Sequence, residues 1–358
     1  NFSLSPQDKS KATYHPRGYP YGGYIDPFWD SAKKERFKRA LNFPPFEGHK
    51  EEPSRILKSY KTPSVRVMIG FDCDRPRGSF ISSDKGQEMA NQKILSLETI
   101  NKILEKEEIP RTYFICGNFI ESMINNFGLK RVKNAFNSMS KLVEIGDHSY
   151  SHKIVKKINT RPDKLPANFK EIKEEFQINT NLFQKYFSGQ DIVNRGYRTP
   201  LGHKNGLKGE FKLLDTLKNL KVKYISSDLR DTNDSLHPKL ITENGNIRQP
   251  YRYENGLLEI PAIGWQDTAF SGTSNTKLFE NPPTNLLEIL TYYQGLFLEA
   301  NQLSQKIERD VFLGLVMHPY DVSFYDKDNS LFPKIKKELE SIGGSFHTYG
   351  EISNHFDN

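Results

Sequence analysis

Cysteine and long apolar runs are both scarce in this sequence. Only two of its 358 residues are cysteines, Cys73 and Cys116, which excludes a disulfide-rich scaffold and a four-cysteine zinc site. Both lie in predicted strands, so we expect two buried free thiols, with a single disulfide as the open alternative. No stretch approaches the roughly 18 consecutive apolar residues of a membrane span, so an integral membrane protein is not expected.

Charge of one sign is not concentrated anywhere along the chain. The sequence has 51 basic and 44 acidic residues, and the resulting net charge of +7 is spread out. A nucleic-acid-binding stripe is therefore not expected, and no glycine-rich phosphate loop follows a predicted strand. With 36% hydrophobic and 27% charged residues, the composition is typical of a globular protein.

The first 63 residues differ from the rest because they are rich in tyrosine and proline and show little periodicity. They predict an extended arm (residues 1–63) with one short helix near Ser31–Leu41, packing on a main domain (residues 64–358). A disordered leader is the alternative. The chain begins with Asn1 and not with methionine, so we expect that an upstream segment was removed. An extracytoplasmic or secreted location is expected, and a cytoplasmic one stays open.

From Ser64 onward, apolar strands alternate with amphipathic helices. The pattern predicts strands at 65–71, 112–116, 142–145, 192–197, 222–227, 257–263, 311–317 and 345–348. It predicts the clearest helices at 169–187, 211–220, 286–307 and 331–342. Such alternation indicates a parallel sheet covered by helices. The number of strand–helix units favours a distorted (β/α)7-type barrel over a doubly wound sheet.

Polar side chains cluster where these strands end, and in a parallel barrel those ends meet at one rim. They are Asp72 and Asp74 after the first strand, His148 and His152 after the third, Arg198 after the fourth, Asp228 after the fifth and His318 after the seventh. Their convergence is a stronger indication of an active site than any one motif.

The spacing of two of these pairs favours a metal site. His148 and His152 are four residues apart, so on a helical turn both imidazoles would share a face. Asp72 and Asp74 are two apart, so on a strand they point the same way, into an apolar barrel where a cation would compensate them. Two alternatives stay open: ordinary surface histidines, and a buried aspartate pair bound by Arg198 and backbone amides.

The motifs and their order, from about residue 65 to 320, resemble those of the polysaccharide deacetylases, carbohydrate esterase family 4. Four of the family's five motifs match at Gly70–Asp74 (in an Asp-x-Asp form), His148–His152, Arg198–Pro200 and Leu313–His318. The fourth motif is the weakest match, because Asp228, Asp231 and Asp234 are all candidates and no tryptophan is adjacent.

The resemblance implies a role for each of these residues. Asp74, His148 and His152 would bind a divalent metal ion, most often zinc, with cobalt or nickel as alternatives. Asp72 would be the general base, oriented by Arg198. His318 would be the general acid, steered by Asp228 in preference to the other two aspartates. Pro200, Leu201, Trp265 and Tyr320 would contact the substrate, and the Leu201 amide would also stabilise the oxyanion.

The implied activity is hydrolysis of N-acetyl, or O-acetyl, groups on a carbohydrate, so the expected partner is an acetylated glycan or amino sugar. One alternative is an amidase or deformylase of the same fold that acts on a small molecule or a lipid-linked sugar. Another is a carbohydrate-binding descendant without catalysis. The sequence leaves the sugar, the linkage and the oligomeric state open.

Overall fold

The computed structural model describes residues 30–41, 63–231, 234–272 and 282–357. The chain divides into two compact units, residues 1–52 and 53–358. In the first unit, helix α1 spans Ser31–Leu41, where the sequence predicts a short helix. The rest of the predicted extended arm lies outside the described residues. Its packing on the main domain, and the boundary at residue 63, stay predictions.

The second unit alternates strands and helices along the chain. Its strands are β1 (Val65–Cys73), β2 (Arg111–Ile115), β3 (Val143–Asp147), β4 (Tyr197–Lys204), β5 (Tyr224–Arg230), β6 (Tyr251–Arg252), β7 (Leu258–Glu259), β8 (Val311–Met317) and β9 (Ser345–His347). Its helices are α2 (Asp84–Lys106), α3 (Gly117–Phe127), α4 (Leu129–Phe136), α5 (Phe169–Tyr186), α6 (Phe211–Asn219), α7 (Leu286–Ile307), α8 (Pro319–Tyr325), α9 (Leu331–Ser341) and α10 (Tyr349–Asp357). None of the described helices is long and apolar enough to cross a membrane.

The strands form one curled sheet in the order β6-β7-β5-β4-β3-β2-β1-β8, and β9 also pairs with β1. All the pairings are parallel except that of β6 with β7. A parallel bridge between Ala262 and Gly314 joins the segment after β7 to β8 at the far side of the sheet. The fold is therefore a distorted (β/α) barrel, and the predicted fold class is confirmed.

Alternation along β1 separates the two faces of the sheet. Val67, Ile69 and Phe71 pack outward into the core beneath the helices. Met68 packs inward with residues from other strands, in a cluster that fills the barrel. Asp72 has the same parity as Met68, so the strand itself directs this carboxylate into the barrel.

The predicted strand at 192–197 differs from the structure, in which β4 begins only at Tyr197. Just before it, Gly196 accepts a single backbone bond from Asp147 of β3, and Arg195 is held mainly by its side chain. The Arg195 guanidinium donates to the carbonyl of Ile192 at 2.7 Å and to Asp147 Oδ2 at 2.5 Å. Side-chain bonds of this kind compete with a sheet ladder, so the apolar pattern alone misplaces the start of the strand.

Candidate active site

Asp72 and Arg198 form a buried ion pair inside the barrel. Oδ1 of Asp72 lies 2.8 Å from Nη1 of Arg198. The same Nη1 donates to the carbonyl of Gly70 at 3.2 Å, and Nε donates to Ser226 Oγ at 3.4 Å. The Arg198 side chain is fully buried, so these acceptors fix its position. The ion pair therefore fixes the direction of the Asp72 carboxylate, and the role of Asp72 as a base stays a prediction.

Gly70 is required by the close approach of this guanidinium. A Cβ at position 70 would lie 2.5 Å from Nη2 and 2.6 Å from Nη1 of Arg198. We expect Gly70→Ala to lower the free energy of unfolding by about 1–3 kcal/mol, and to lower activity by moving Arg198 away from Asp72. Urea unfolding measures the first effect and initial rates the second.

Gly295 provides the matched control for that substitution. It is exposed within α7, and a Cβ there would meet nothing within 4 Å. Gly295→Ala should therefore leave activity unchanged and raise stability by up to about 1 kcal/mol. A Gly70→Ala variant with unchanged stability and rate would show that Arg198 is not confined as the structure indicates.

His148 is oriented by the backbone of the same arginine. Its Nδ1 lies 2.8 Å from the carbonyl oxygen of Arg198. A carbonyl only accepts, so Nδ1 carries a proton, and in the neutral ring Nε2 then keeps the lone pair that a metal ligand needs. Nε2 lies 3.9 Å from Asp72 Oδ2. Arg198 thus orients the predicted base with its side chain and a predicted ligand with its main chain.

His152 lies beside Asp74, but not on a helical turn. Its Nε2 is 3.5 Å from Asp74 Oδ2, and its ring centroid is 4.9 Å from that of His148. The chain from His148 to His152 is a loop in which Ser149 and His152 have positive φ values of 62° and 63°. Glu175 holds this loop by accepting from the backbone amide and the hydroxyl of Ser151. The predicted helical turn is therefore wrong, although the two rings are adjacent as expected.

The surroundings shift the pKa values of Asp74 and His152 toward the forms that can bind a metal ion. Burial alone would raise the pKa of Asp74, but the imidazole of His152 and the cations Lys93 and Arg77 lower it well below its usual range. Burial lowers the pKa of His152 well below its ordinary value, and Asp74 opposes that shift only in part. One ionised carboxylate and two imidazoles form a donor set suited to zinc and similar divalent ions.

His318 follows β8 and is paired with Asp267, which the sequence analysis did not select. The carboxylate of Asp267 accepts from the backbone amide of His318 at 2.5 Å and from its Nδ1 at 2.8 Å. Burial would lower the pKa of His318, but Asp267, with smaller contributions from Asp321 and Asp72, raises it to about 10. The imidazole is therefore protonated at neutral pH, as a general acid must be.

Asp228 does not contact His318, so that predicted contact is wrong. Its Oδ1 lies 2.5 Å from Nη1 of Arg248, and its Oδ2 accepts from the hydroxyl of Tyr251 at 3.4 Å. The other two candidates for this contact have different partners. Asp231 accepts from the amide of Ser235, and Asp234 accepts from the hydroxyl of Thr160.

Asp267 reaches His318 because the chain after β7 runs alongside β8. Its backbone amide donates to the carbonyl of Val316 at 3.4 Å, just beyond the Ala262–Gly314 bridge. One signal in the sequence could have identified it. Trp265, a tryptophan of the kind expected near the fourth motif, lies two residues before Asp267.

Asp267, His318 and Asp321 are also the most compact group of possible ligands. Within the described ranges, theirs is the one group of three whose donor atoms all lie within 4.8 Å of one another. The 2.8 Å hydrogen bond between Asp267 and His318 accounts for part of this compactness. Asp74, His148 and His152 are more loosely arranged, so both groups have to be tested for metal binding.

The four predicted substrate contacts lie in different surroundings. Pro200 is buried, whereas Leu201 is partly exposed with φ of 64°, and Arg230 donates to the Leu201 carbonyl at 3.0 Å. The ring of Trp265 stacks on His237 with centroids 3.8 Å apart. Tyr320 packs edge-on against Phe324 at 4.7 Å.

Comparisons with solved structures show the same fold elsewhere. A protein from Mycobacterium smegmatis, described provisionally as a polysaccharide deacetylase, is 17% identical with a TM-score of 0.53, over 84% of this chain and 92% of that one. Puue allantoinase is 13% identical with a TM-score of 0.51, over 96% of this chain and 98% of that one. At these identities the likeness concerns the fold alone.

Among curated proteins, the similarity is local. The GDP-perosamine N-formyltransferases of Brucella melitensis and Brucella abortus are each 39% identical to this chain over 61 residues. The match covers 16% of this chain and 21% of theirs, so the chain spans about a fifth of the length of these relatives.

A family comparison gives the assignment. Residues 84–225 match the family model described as polysaccharide deacetylase. This range contains His148, His152 and Arg198, whereas Asp72, Asp74 and His318 lie outside it. The resemblance seen in the sequence is thereby confirmed, and the chain contains a polysaccharide deacetylase domain.

Proposed function

We propose that this chain is a metal-dependent hydrolase that removes acetyl groups, most readily N-acetyl groups, from a carbohydrate. One observation carries the proposal. The structure contains two buried pairs, Asp72 with Arg198 and His318 with Asp267. Asp72 lies near the end of β1 and His318 directly follows the adjacent parallel strand β8, with Phe71 and Met317 in register. This arrangement supports a carboxylate base and an imidazole acid acting at the same end of the barrel, as acyl hydrolysis requires.

Asp74, His148 and His152 would hold the metal ion, most suitably zinc. The fit rests on the free Nε2 lone pair of His148, the uncharged imidazole of His152 and the ionised carboxylate of Asp74. A divalent ion bound there would polarise the acyl carbonyl and lower the pKa of a bound water. Three protein ligands would leave room for both water and substrate.

The protein groups would move two protons. Asp72, aimed by Arg198, would accept a proton from the attacking water. His318 would give its Nε2 proton to the departing amine nitrogen or alkoxide oxygen. Asp267, bonded to Nδ1, would hold the imidazole in the orientation that presents Nε2. After both transfers, the products are acetate and the free amine or alcohol.

The substrate contacts belong to the same proposal. The backbone amide of Leu201 would donate to the oxyanion, because the bulge in β4 separates this residue from the regular ladder with β5. Pro200 would form the wall beside it. Trp265 and Tyr320, after β7 and β8, would contact the sugar through their rings, since aromatic faces suit the apolar faces of sugars.

Acid release across a panel of acylated compounds tests the activity. The panel contains oligomers of N-acetylglucosamine, peptidoglycan, small N-acetyl and N-formyl amino sugars, and allantoin. The N-formyl sugars are included because of the local likeness to the sugar N-formyltransferases. We expect acetate from the oligomers or from peptidoglycan. Release from small compounds alone would contradict the polymer substrate, and no release from any of them would contradict a hydrolase.

Metal removal tests the site. We expect the purified protein to bind about one divalent ion per chain, and a chelator to abolish acid release until metal is returned. His148→Ala should lose the ion, as measured by inductively coupled plasma mass spectrometry. His347→Ala is the matched control, because His347 lies on β9 beside Ser345 and should not affect metal content. Loss of the ion in Asp267→Asn but not in His148→Ala would move the metal to the Asp267 group.

A further inference from the structure

The guanidinium of Arg198 is a positive charge buried inside the barrel, and its hydrogen-bond and ion-pair partners satisfy it only in part. It is fully buried, and its one carboxylate partner in the described structure is Asp72. Among the described residues, Nη2 has no hydrogen-bond acceptor. A buried cation needs further stabilisation, and its position is only as well defined as the groups that surround it.

Two aromatic rings supply that stabilisation. The Cζ atom of Arg198 lies 4.1 Å from the ring centroid of Phe114 and 4.9 Å from that of Tyr349. Both distances are within the range in which a ring face attracts a cation, and the attraction is strongest where water is excluded. Gly70 lies so close to the guanidinium that a Cβ there would overlap it. Arg198 is thus held between a bare backbone and two rings.

Tyr349 is itself held firmly, although it is the first residue of α10, near the end of the chain. Its ring stacks on Tyr224 with centroids 6.0 Å apart and meets Phe114 edge-on at 5.3 Å. Its backbone amide donates to Thr112 Oγ1 at 3.0 Å. The next amide, of Gly350, donates to Glu144 Oε2 at 2.8 Å. The start of α10 is therefore fixed to residues of β2 and β3.

We propose that Tyr349 is a positioning residue for the deacylation reaction, in which its ring holds Arg198 against Asp72. This inference rests on the proposed function. It makes α10 part of the active-site support, although the helix contributes no group to the chemistry. Phe114 shares the contact with Arg198 but lies within β2, so Tyr349 is the position at which the ring can be removed without altering a central strand.

Paired substitutions at position 349 test the role of the ring. Tyr349→Phe keeps the ring face, and its kcat should stay within about threefold of the wild type. Tyr349→Leu removes the face, and kcat should fall by about 10- to 30-fold, because Arg198 no longer holds the base in one position. KM and metal content should be unchanged in both variants.

Ile352→Ala separates positioning from general stability. Ile352 lies on the same helix and in the same buried cluster as Tyr349, but its aliphatic side chain has no ring face to attract the Arg198 cation. Its truncation should lower the melting temperature at least as much as Tyr349→Leu does, while kcat stays unchanged. Equal losses of kcat in the two variants would overturn the inference, and so would an unchanged kcat in Tyr349→Leu.

A double-mutant cycle with Arg198→Lys supplies the decisive readout. If Tyr349 acts through Arg198, adding Tyr349→Leu to Arg198→Lys should lower kcat by less than about threefold further. If the double variant instead loses kcat by the product of the two separate factors, the inference is overturned, while the hydrolase activity still stands. A wild type that releases no acid would overturn the proposed function instead. In that case the same cycle, measured by urea unfolding, still decides whether the ring and the guanidinium are coupled.

Discussion

Asp72→Asn is expected to lower kcat by about 10²- to 10⁴-fold while the chain keeps its metal ion. The amide has the shape of the carboxylate. Its oxygen can still accept from Nη1 of Arg198, which lies 2.8 Å from Oδ1 of Asp72 in the wild type. It cannot take a proton from water, so the chemical step loses its base. Initial rates of acid release and metal content are measured on the same preparation.

Asp74→Asn is the matched partner of that variant. It makes the same chemical change two residues away, at the carboxylate next to His152. We expect it to lose the ion together with the activity. The opposite result, in which Asp72→Asn loses the ion and Asp74→Asn keeps it, would show that the base and the metal ligand are exchanged.

Both predictions depend on the two hydrogen bonds by which Arg198 connects Asp72 and His148. Its side chain bonds the carboxylate of Asp72, and its carbonyl bonds the ring of His148. A single residue of β4 therefore sets the direction of the proposed base and of one proposed metal ligand. Displacing the backbone at Arg198 would disturb both, whereas shortening its side chain would disturb the base first. This is why Arg198→Lys, and not a backbone change, belongs in the cycle with Tyr349.

The parts of the fold that the sequence predicts well are its long apolar elements. The observed α7 (Leu286–Ile307) and β8 (Val311–Met317) have the predicted bounds. In both, a continuous pattern of buried residues decides the structure, and local periodicity reflects burial directly. The strand predicted at 257–263 contains β7, which is only two residues long, whereas β6 carries no such pattern, and the sequence does not predict their hairpin.

The parts of the site that the sequence predicts less well depend on distant contacts. The loop at His148–His152 adopts positive φ at Ser149 because Asp147 accepts from the Ser149 amide and Glu175 accepts from the Ser151 amide. Spacing alone suggested a helical turn there. Likewise, nothing local links residues 267 and 318; the link arises where the barrel closes through Ala262 and Gly314.

The error over Asp228 has a physical reason as well. A buried aspartate at the end of a strand looks the same in sequence whether its partner is a histidine or an arginine. Here Arg248, from the segment before β6, takes that place at 2.5 Å. Burial raises the pKa of Asp228, and Arg248 opposes that shift. The carboxylate therefore belongs to an ion pair that supports the barrel wall.

Asp267→Asn should lower kcat by about 10²- to 10⁴-fold at neutral pH and move the alkaline limb of the pH–rate profile to lower pH. The sign follows from the two influences on His318. Asp267 raises the pKa of the imidazole to about 10, whereas burial lowers it. When the charge of Asp267 is removed, burial dominates, so the proton is lost at lower pH. The asparagine oxygen can still accept from Nδ1, which keeps the ring in place.

Asp228→Asn is the control for that variant, because it removes the charge of the aspartate that the sequence favoured. It leaves the cation of Arg248 without its carboxylate, so we expect a loss of about 3–5 kcal/mol in the free energy of unfolding. The alkaline limb should stay where it is in the wild type, because Asp228 does not touch His318. If the limb moved in Asp228→Asn and stayed in place in Asp267→Asn, the imidazole in the working enzyme would be paired with Asp228, and the contact at Asp267 would have no part in holding its proton.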